Sequence, residues 1–275
     1  MKRTWRMVCV MVCGAMLGVP ALARAQEWRG GYVSGHLGVS MIPAGPADRN
    51  VVRFDTNLDG AFSDTVRTAA GANAFSPGFC IGASANALPS SGCAVDDNGF
   101  DFSARGGYDW QSGMFVAGAV AELAAPDHVD SVSAFSTTPA FYTLSRELNW
   151  VTGFRGRAGA GWGSVLIYGT GGPAWASVDH SFTTSNAVNT FVETADDMVW
   201  GYQLGGGAEI KRGRITFGGE YLWTRLMDED RYTVRAQGPA PATNPFILTN
   251  TAGTDLQRAD RFEFGALRVT VGVRF

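Results

Sequence analysis

The sequence predicts an all-β fold, an eight-stranded antiparallel up-and-down β-barrel that crosses a membrane. Three features carry that expectation. Apolar and polar residues alternate with period two over eight segments, the links between segments alternate short and long, and the tryptophans gather near segment ends.

The chain opens on a leader. Lys2, Arg3 and Arg6 precede an apolar stretch from Met7 to Leu22, and Ala23-Arg24-Ala25 has the A-x-A shape of a secretory cleavage site. The stretch, about 16 residues, is short for a membrane span of about 20. Residues 1–25 therefore read as a cleaved signal peptide and 26–275 as the barrel. No later run is long and apolar enough for a transmembrane helix. The remaining route is a closed barrel, in which every backbone N–H and C=O pairs within the sheet.

The first two strands are expected near 28–41 and 98–111. In the third, Phe115, Ala117, Ala119, Ala121 and Leu123 share one face, with Gly118 and Glu122 on the other. The fourth to sixth fall near 147–161, 164–178 and 197–211; the run Gly169 to Pro173 in the fifth fits either face. In the seventh, Ile215, Phe217, Tyr221 and Trp223 oppose Thr216, Glu220 and Thr224. In the last, Leu267, Val269, Val271, Val273 and Phe275 alternate with Arg268, Thr270, Gly272 and Arg274. Such alternation marks strands with one apolar and one polar face.

Gln111-Ser112-Gly113, Gly161-Trp162-Gly163 and Lys211-Arg212-Gly213 read as tight hairpin turns. Between them lie long polar segments, 42–97, 126–146, 179–196 and 230–257. Short links at one end and long ones at the other fit an outer-membrane barrel with periplasmic turns and external loops, both mature termini being periplasmic. Trp28, Trp110 and Trp162 fall at the turn end, and Trp150, Trp175, Trp200 and Trp223 at the loop end. Trp150 and Trp162 share parity, which separates them by roughly 30 Å along the membrane normal, as two aromatic girdles require.

Composition narrows the function classes. Hydrophobic residues make up 45% and charged residues 17%, which excludes a disordered chain. A net charge of −3 without a basic stripe excludes a nucleic-acid partner. Only Lys2 and Lys211 are lysines, unlike the helix surfaces of soluble α proteins. With the leader removed, Cys80 and Cys93 remain; in an exported protein they read as one disulfide, the alternative being two buried thiols.

Glu27-Trp28-Arg29-Gly30-Gly31-Tyr32-Val33-Ser34-Gly35-His36-Leu37-Gly38 resembles the opening of small opacity-like, OmpA-like outer-membrane surface barrels of Gram-negative bacteria. Leu166 to Trp175 is similar to their Y-x-x-G-G-x-A segment, and Val269 to Phe275 resembles the C-terminal signal read by the barrel-assembly machinery, with Phe275 as its end. The resemblance covers the strands and leaves the loops outside it. It implies a structural or surface-exposed protein of the outer membrane and supplies no catalytic residues; lipid, lipopolysaccharide and the barrel-assembly machinery are the expected partners, with the loops open to envelope or host and ligand contact. A monomer is expected.

Inward parity collects Asp101, Arg105, Asp109, Glu122, Arg155, Arg157, Glu209, Glu220, Arg268 and Arg274. Side chains fill an eight-stranded barrel, and opposite charges enclosed there pair. A closed polar interior is therefore expected, with a small porin-like channel as the alternative. Asp55, Asn57 and Asp59 sit in a D-x-N-x-D-G run matching the first half of a calcium loop, but the twelfth position is Val66. Asp64 could substitute, yet a polar turn is the simpler reading. No cofactor is expected apart from that possible calcium. His128 and His180 lack the His-x-Ser spacing of lipid A deacylases. Haem capture would need an exposed His128, His180 or Tyr142. The run Ala69 to Ala74 reads as a short helix or filler. The expected function is surface interaction through the loops, not catalysis.

Overall fold

The computed structural model describes residues 28–41, 51–94, 96, 98–259 and 261–275. The signal peptide expected over 1–25 lies outside them.

Among the described residues fourteen strands follow one another: β1 (Gly30–Met41), β2 (Val52–Asp55), β3 (Gly78–Ile81), β4 (Gly99–Ser112), β5 (Phe115–Pro126), β6 (His128–Ser136), β7 (Ala140–Trp162), β8 (Val165–Thr184), β9 (Thr190–Ala195), β10 (Met198–Arg212), β11 (Ile215–Leu226), β12 (Tyr232–Gln237), β13 (Thr254–Arg258) and β14 (Phe262–Arg274). Eight of them, β1-β4-β5-β7-β8-β10-β11-β14, pair antiparallel in that order, and β14 closes on β1 from Tyr32↔Arg274 to Met41↔Gly265. The barrel leaves no open edge, which an isolated sheet in hydrocarbon cannot tolerate.

Three two-residue hairpins close one end, at Gly113-Met114, Gly163-Ser164 and Gly213-Arg214. Each glycine has φ near +60°, at 61°, 58° and 59°. Glycine first with positive φ is the turn whose twist matches the flanking strands. Phe275 lies at this same end, its N–H donating to Gly31 O at 2.9 Å. The outer wall alternates as the sequence requires: Val33, Phe102, Leu123, Phe154, Ile167, Leu204, Phe217 and Val269 are exposed. Gly169 to Pro173 keeps the odd positions outward without a change of phase.

Trp110, Trp162, Trp175 and Trp200 are exposed on the wall. Trp28 is not. It is fully buried inside the turn end with Val116, Leu166 and Tyr168.

The segments read as polar loops carry most of the surprise. β7 and β8 run on past the barrel, pairing from Leu148↔Val178 to Tyr142↔Thr184. They are joined by β6 and β3 into one sheet, while β2-β13-β12-β9 forms a second. Between these sheets lies a buried core that includes Phe54, Phe75, Val132, Tyr142, Leu144, Val234, Phe246 and Leu256. The loops are thus a β-sandwich cap seated on the barrel. The Ala69 to Ala74 run is not a helix: Arg67 bridges Asn73, and Gly71 at φ 82° makes the tight turn between them.

Cys80 in β3 is bonded to Cys93, with Cα atoms 6.0 Å apart. Residues 82–94 thereby lie over the outer face of β6 and β7. There Ser133 Oγ and Thr143 Oγ1 are 2.7 Å apart, Ser131 and Ser145 hydroxyls 2.9 Å, and the Ser84 N–H donates to Ser133 Oγ at 3.0 Å.

Candidate functional site: the barrel interior and its junction with the cap

Inward positions of the barrel strands bring ten charged residues together, and every one has a partner. Glu122 is the hub: its Oε2 accepts from Arg105 Nε at 2.9 Å and Arg155 Nη2 at 2.8 Å, and its Oε1 from Arg268 Nη1 at 2.5 Å. Arg268 also reaches both oxygens of Asp101, at 2.6 and 2.8 Å. Arg105 donates to Glu220, whose other oxygen accepts from the Tyr168 hydroxyl at 2.8 Å. Arg155 extends the network to Gln203 at 2.5 Å.

Nearer the turns a second group forms. Arg157 donates to Glu209 at 2.8 Å, and Arg274 to Asp109 at 2.7 Å. The Arg157 guanidinium lies 4.1 Å from the Tyr168 ring centre, and that of Arg274 4.8 Å from Tyr32. A planar cation both stacks on a ring and bridges two carboxylates, which suits arginine better than lysine. Gly107 and Gly207 make room for these rings, since a Cβ there would come within 2.6 Å of Tyr32 and 2.8 Å of the Tyr168 hydroxyl.

Toward the cap the interior turns apolar, with Leu148, Val151, Ala174, Val199, Leu226, Phe262 and Phe264 buried together. Above that layer a third charged group sits at the junction. Arg146 bonds Asp130 at 2.6 Å and Asp228 at 3.1 Å, while Arg258 reaches Asp130 at 3.0 Å. His180 Nε2 lies 3.1 Å from Asp228, and its ring stacks on Tyr232 at 4.8 Å. Burial alone would raise the Asp228 pKa; the His180 hydrogen bond and the Arg146 charge outweigh it and hold the carboxyl below its usual range.

His36, Glu122 and Glu220 form a buried group whose ligand atoms lie within 4.8 Å of one another. It is a poor cation site, because three guanidinium groups already neutralise the two carboxylates. In the D-x-N-x-D-G run the oxygens face the chain's own N–H groups. Asp55 Oδ1 accepts from Leu58 at 2.6 Å and Oδ2 from Gly60 at 2.7 Å, and Asp59 Oδ1 accepts from Ala61 at 2.8 Å. Asn57 donates to Asp59 at 3.0 Å, and Asp64 is held below its usual pKa by two hydrogen bonds from Thr56. The arrangement is a self-satisfied polar turn. His128 and Tyr142 are buried, as is the side chain of His180, so none presents an exposed ligand for haem or a nucleophile to the lipid face.

Sequence parity placed the ten interior charges together but missed the junction group. Its signal was present in Tyr142, Leu144, Arg146 and Leu148, all inward, yet the phase changes at Asn149. There a bulge between Leu148 and Trp150 shifts the inward set to Val151, Gly153, Arg155 and Arg157.

No curated protein matches this chain in sequence. Solved structures that align with it include OprG from Pseudomonas aeruginosa (12% identity, 90% of this chain and 96% of that one, TM-score 0.46), Ail, the attachment invasion locus protein of Yersinia pestis, solved with the heparin analogue sucrose octasulfate (11%, 90% and 99%, 0.34), and Neisserial surface protein A (8%, 90% and 97%, 0.28). A family described as the outer membrane protein beta-barrel domain matches residues 9–275. With that match across a closed barrel of apolar exterior, the chain belongs to the outer-membrane β-barrel family.

Proposed function

We propose that the protein is a closed, non-enzymatic outer-membrane barrel whose work is done by the cap, held outside the cell for contact with surface ligands. The supporting observation is the pairing of all ten interior charges, Asp101, Arg105, Asp109, Glu122, Arg155, Arg157, Glu209, Glu220, Arg268 and Arg274. A water-filled path along the axis would have to part several of these pairs at once, and each separation leaves a buried charge uncompensated. The apolar layer of Leu148, Leu226 and Phe264 lies above them, and the cap core above that.

In this reading the turn end and both termini face the periplasm, the chain is a monomer in lipid and lipopolysaccharide, and β14 ending at Phe275 is the strand presented to the assembly machinery. Planar-bilayer recording tests the closed barrel. Refolded protein is expected to give no stepwise conductance; discrete, reproducible steps would overturn the proposal in favour of a small diffusion channel.

A further inference from the structure

All four connections on the cap side of the barrel meet at one place. Residues 74–75 from the β1–β4 connection, 136–140 and 142 from the β6–β7 turn and the start of β7, 185–188 from the β8–β10 connection and 244–246 from the β11–β14 connection line a cavity of about 320 Å³ at the tip of the cap. That size lies at the lower end of small-molecule sites. Its floor is the open end of the cap core. The rings of Phe75, Tyr142 and Phe246 stand edge to face, with centres 5.3, 5.5 and 5.8 Å apart.

The walls are tied together by hydrogen bonds and their chemistry is neutral. Asn186 donates to the Tyr142 hydroxyl at 2.9 Å and to Asn189 at 3.0 Å, and Asn244 donates to the same Asn189 oxygen at 3.0 Å. These bonds tie the third and fourth connections to β7, so the cavity does not depend on a ligand to hold it open. At the rim Thr137, Thr138 and Ser185 are exposed. Ser185 Oγ accepts from the Phe141 N–H at 3.1 Å, which leaves its own O–H to donate. Val188, 56% exposed, adds an apolar lip. Among the described residues no charged one lines the cavity, so an ionic ligand would be desolvated there without a counter-charge.

We propose that this pocket binds a small uncharged molecule with an apolar ring and a hydroxyl group, the ring seated on Phe75, Tyr142 and Phe246 and the hydroxyl meeting the Ser/Thr rim. The inference rests on the cap being the binding part of the protein, and the two readings fail separately. Stepwise conductance would overturn the closed barrel and leave the pocket standing, whereas absent binding would remove the pocket and leave a non-conducting barrel.

The test is methyl NMR of the full mature protein in detergent, titrated with benzyl alcohol, benzoate and methyl glucoside. Benzyl alcohol is expected to shift the Ala140, Ala187 and Val188 methyl signals saturably, while the wall methyls of Leu267 and Val269 report only partitioning into detergent. Benzoate is expected to bind at least tenfold more weakly. Ala187→Trp, which fills the mouth, should weaken benzyl alcohol at least tenfold while the heat-dependent gel shift of the folded barrel is retained. Val188→Glu, at an exposed position, is a second variant expected to weaken it if Ala187→Trp does not fold. Any of four results overturns the proposal: no saturable shift, benzoate equal to benzyl alcohol, a folded filling variant that binds normally, or methyl glucoside binding more tightly than benzyl alcohol.

Discussion

β7 and β8 each pass through two environments, and the comparison between their two halves explains most of the molecule. Inside the barrel half, β7 turns Arg155 and Arg157 inward and leaves Phe154 exposed. In the cap half the same strand buries Tyr142 and Leu144 and leaves Glu147 exposed. β7 and β8 stay paired with each other through both halves, while the other neighbour of β7 changes from β5 in the barrel to β6 in the cap. The solvent changes too: lipid takes the apolar face in one half and water the polar face in the other. Neighbours then enforce the choice, because the barrel lumen offers ion-pair partners while the second sheet of the cap offers an apolar surface. A single bulged residue, Asn149, reverses the phase between the two regimes.

The comparison is broken most severely at the hub. Glu122→Ala leaves Arg105, Arg155 and Arg268 short of a shared carboxylate, a loss on the order of 3–5 kcal/mol for breaking buried pairs. The temperature at which the folded gel band converts to the unfolded one should fall sharply, with little change in cap proteolysis below it. An unchanged conversion temperature would mean the lumen is wet enough to screen these charges.

Leu256→Ala cuts into the opposite kind of core. Leu256 is fully buried in the cap, and its truncation should cost about 3 kcal/mol through lost burial and a cavity. Proteolysis of all four connections should accelerate while the barrel's conversion temperature stays put. A parallel drop in both would show that cap and barrel unfold as one unit.

Reducing Cys80–Cys93 should act more narrowly. The bond constrains a short segment by up to about 3 kcal/mol, and it holds residues 82–94 over the Ser131, Ser133, Thr143 and Ser145 ladder. Faster cleavage between residues 48 and 97 alone is expected; acceleration spread over every connection would contradict that confinement.

The smallest effect belongs to the junction. Because the Asp228 pKa is depressed, its contribution is complete above the ordinary carboxylate value and is lost as pH falls through the lowered one. Acid titration of the near-ultraviolet dichroism should therefore show a cap transition below about pH 4. Asp228→Asn should weaken the cap modestly at pH 7 and flatten that transition. An identical acid profile in the variant would assign the sensitivity to other carboxylates.

The barrel was legible in the sequence to within a residue or two at most strand ends. One alternating face, from Leu267 to Phe275 or from Phe115 to Leu123, needs no knowledge of its partner to be recognised. The lumen charges were legible for the same reason, since parity alone assigns them inward. Trp28 lies at the turn end as expected but faces inward and is missing from the girdle, because parity says nothing of a residue that precedes the first strand. The second sheet of the cap was missed because strands such as Val52–Asp55 and Thr254–Arg258 are four and five residues long. Runs that short carry too few alternations to stand out from polar loops. Their apolar residues find one another only across long stretches of sequence, as Phe54 and Leu256 do.

The sequence by itself determined the barrel: a period of two repeated over eight segments, glycine turns at one end, and a C-terminal strand that closes on the first. These are local patterns, each stabilised by the lipid on one side and by the adjacent hairpin on the other. Only the tertiary structure decided the cap, the junction group of Arg146, Asp130, Asp228 and His180, and the cavity over Phe75, Tyr142 and Phe246. Each of these is assembled from residues of several connections, and no segment contributing to them buries enough surface alone to announce where it will fold.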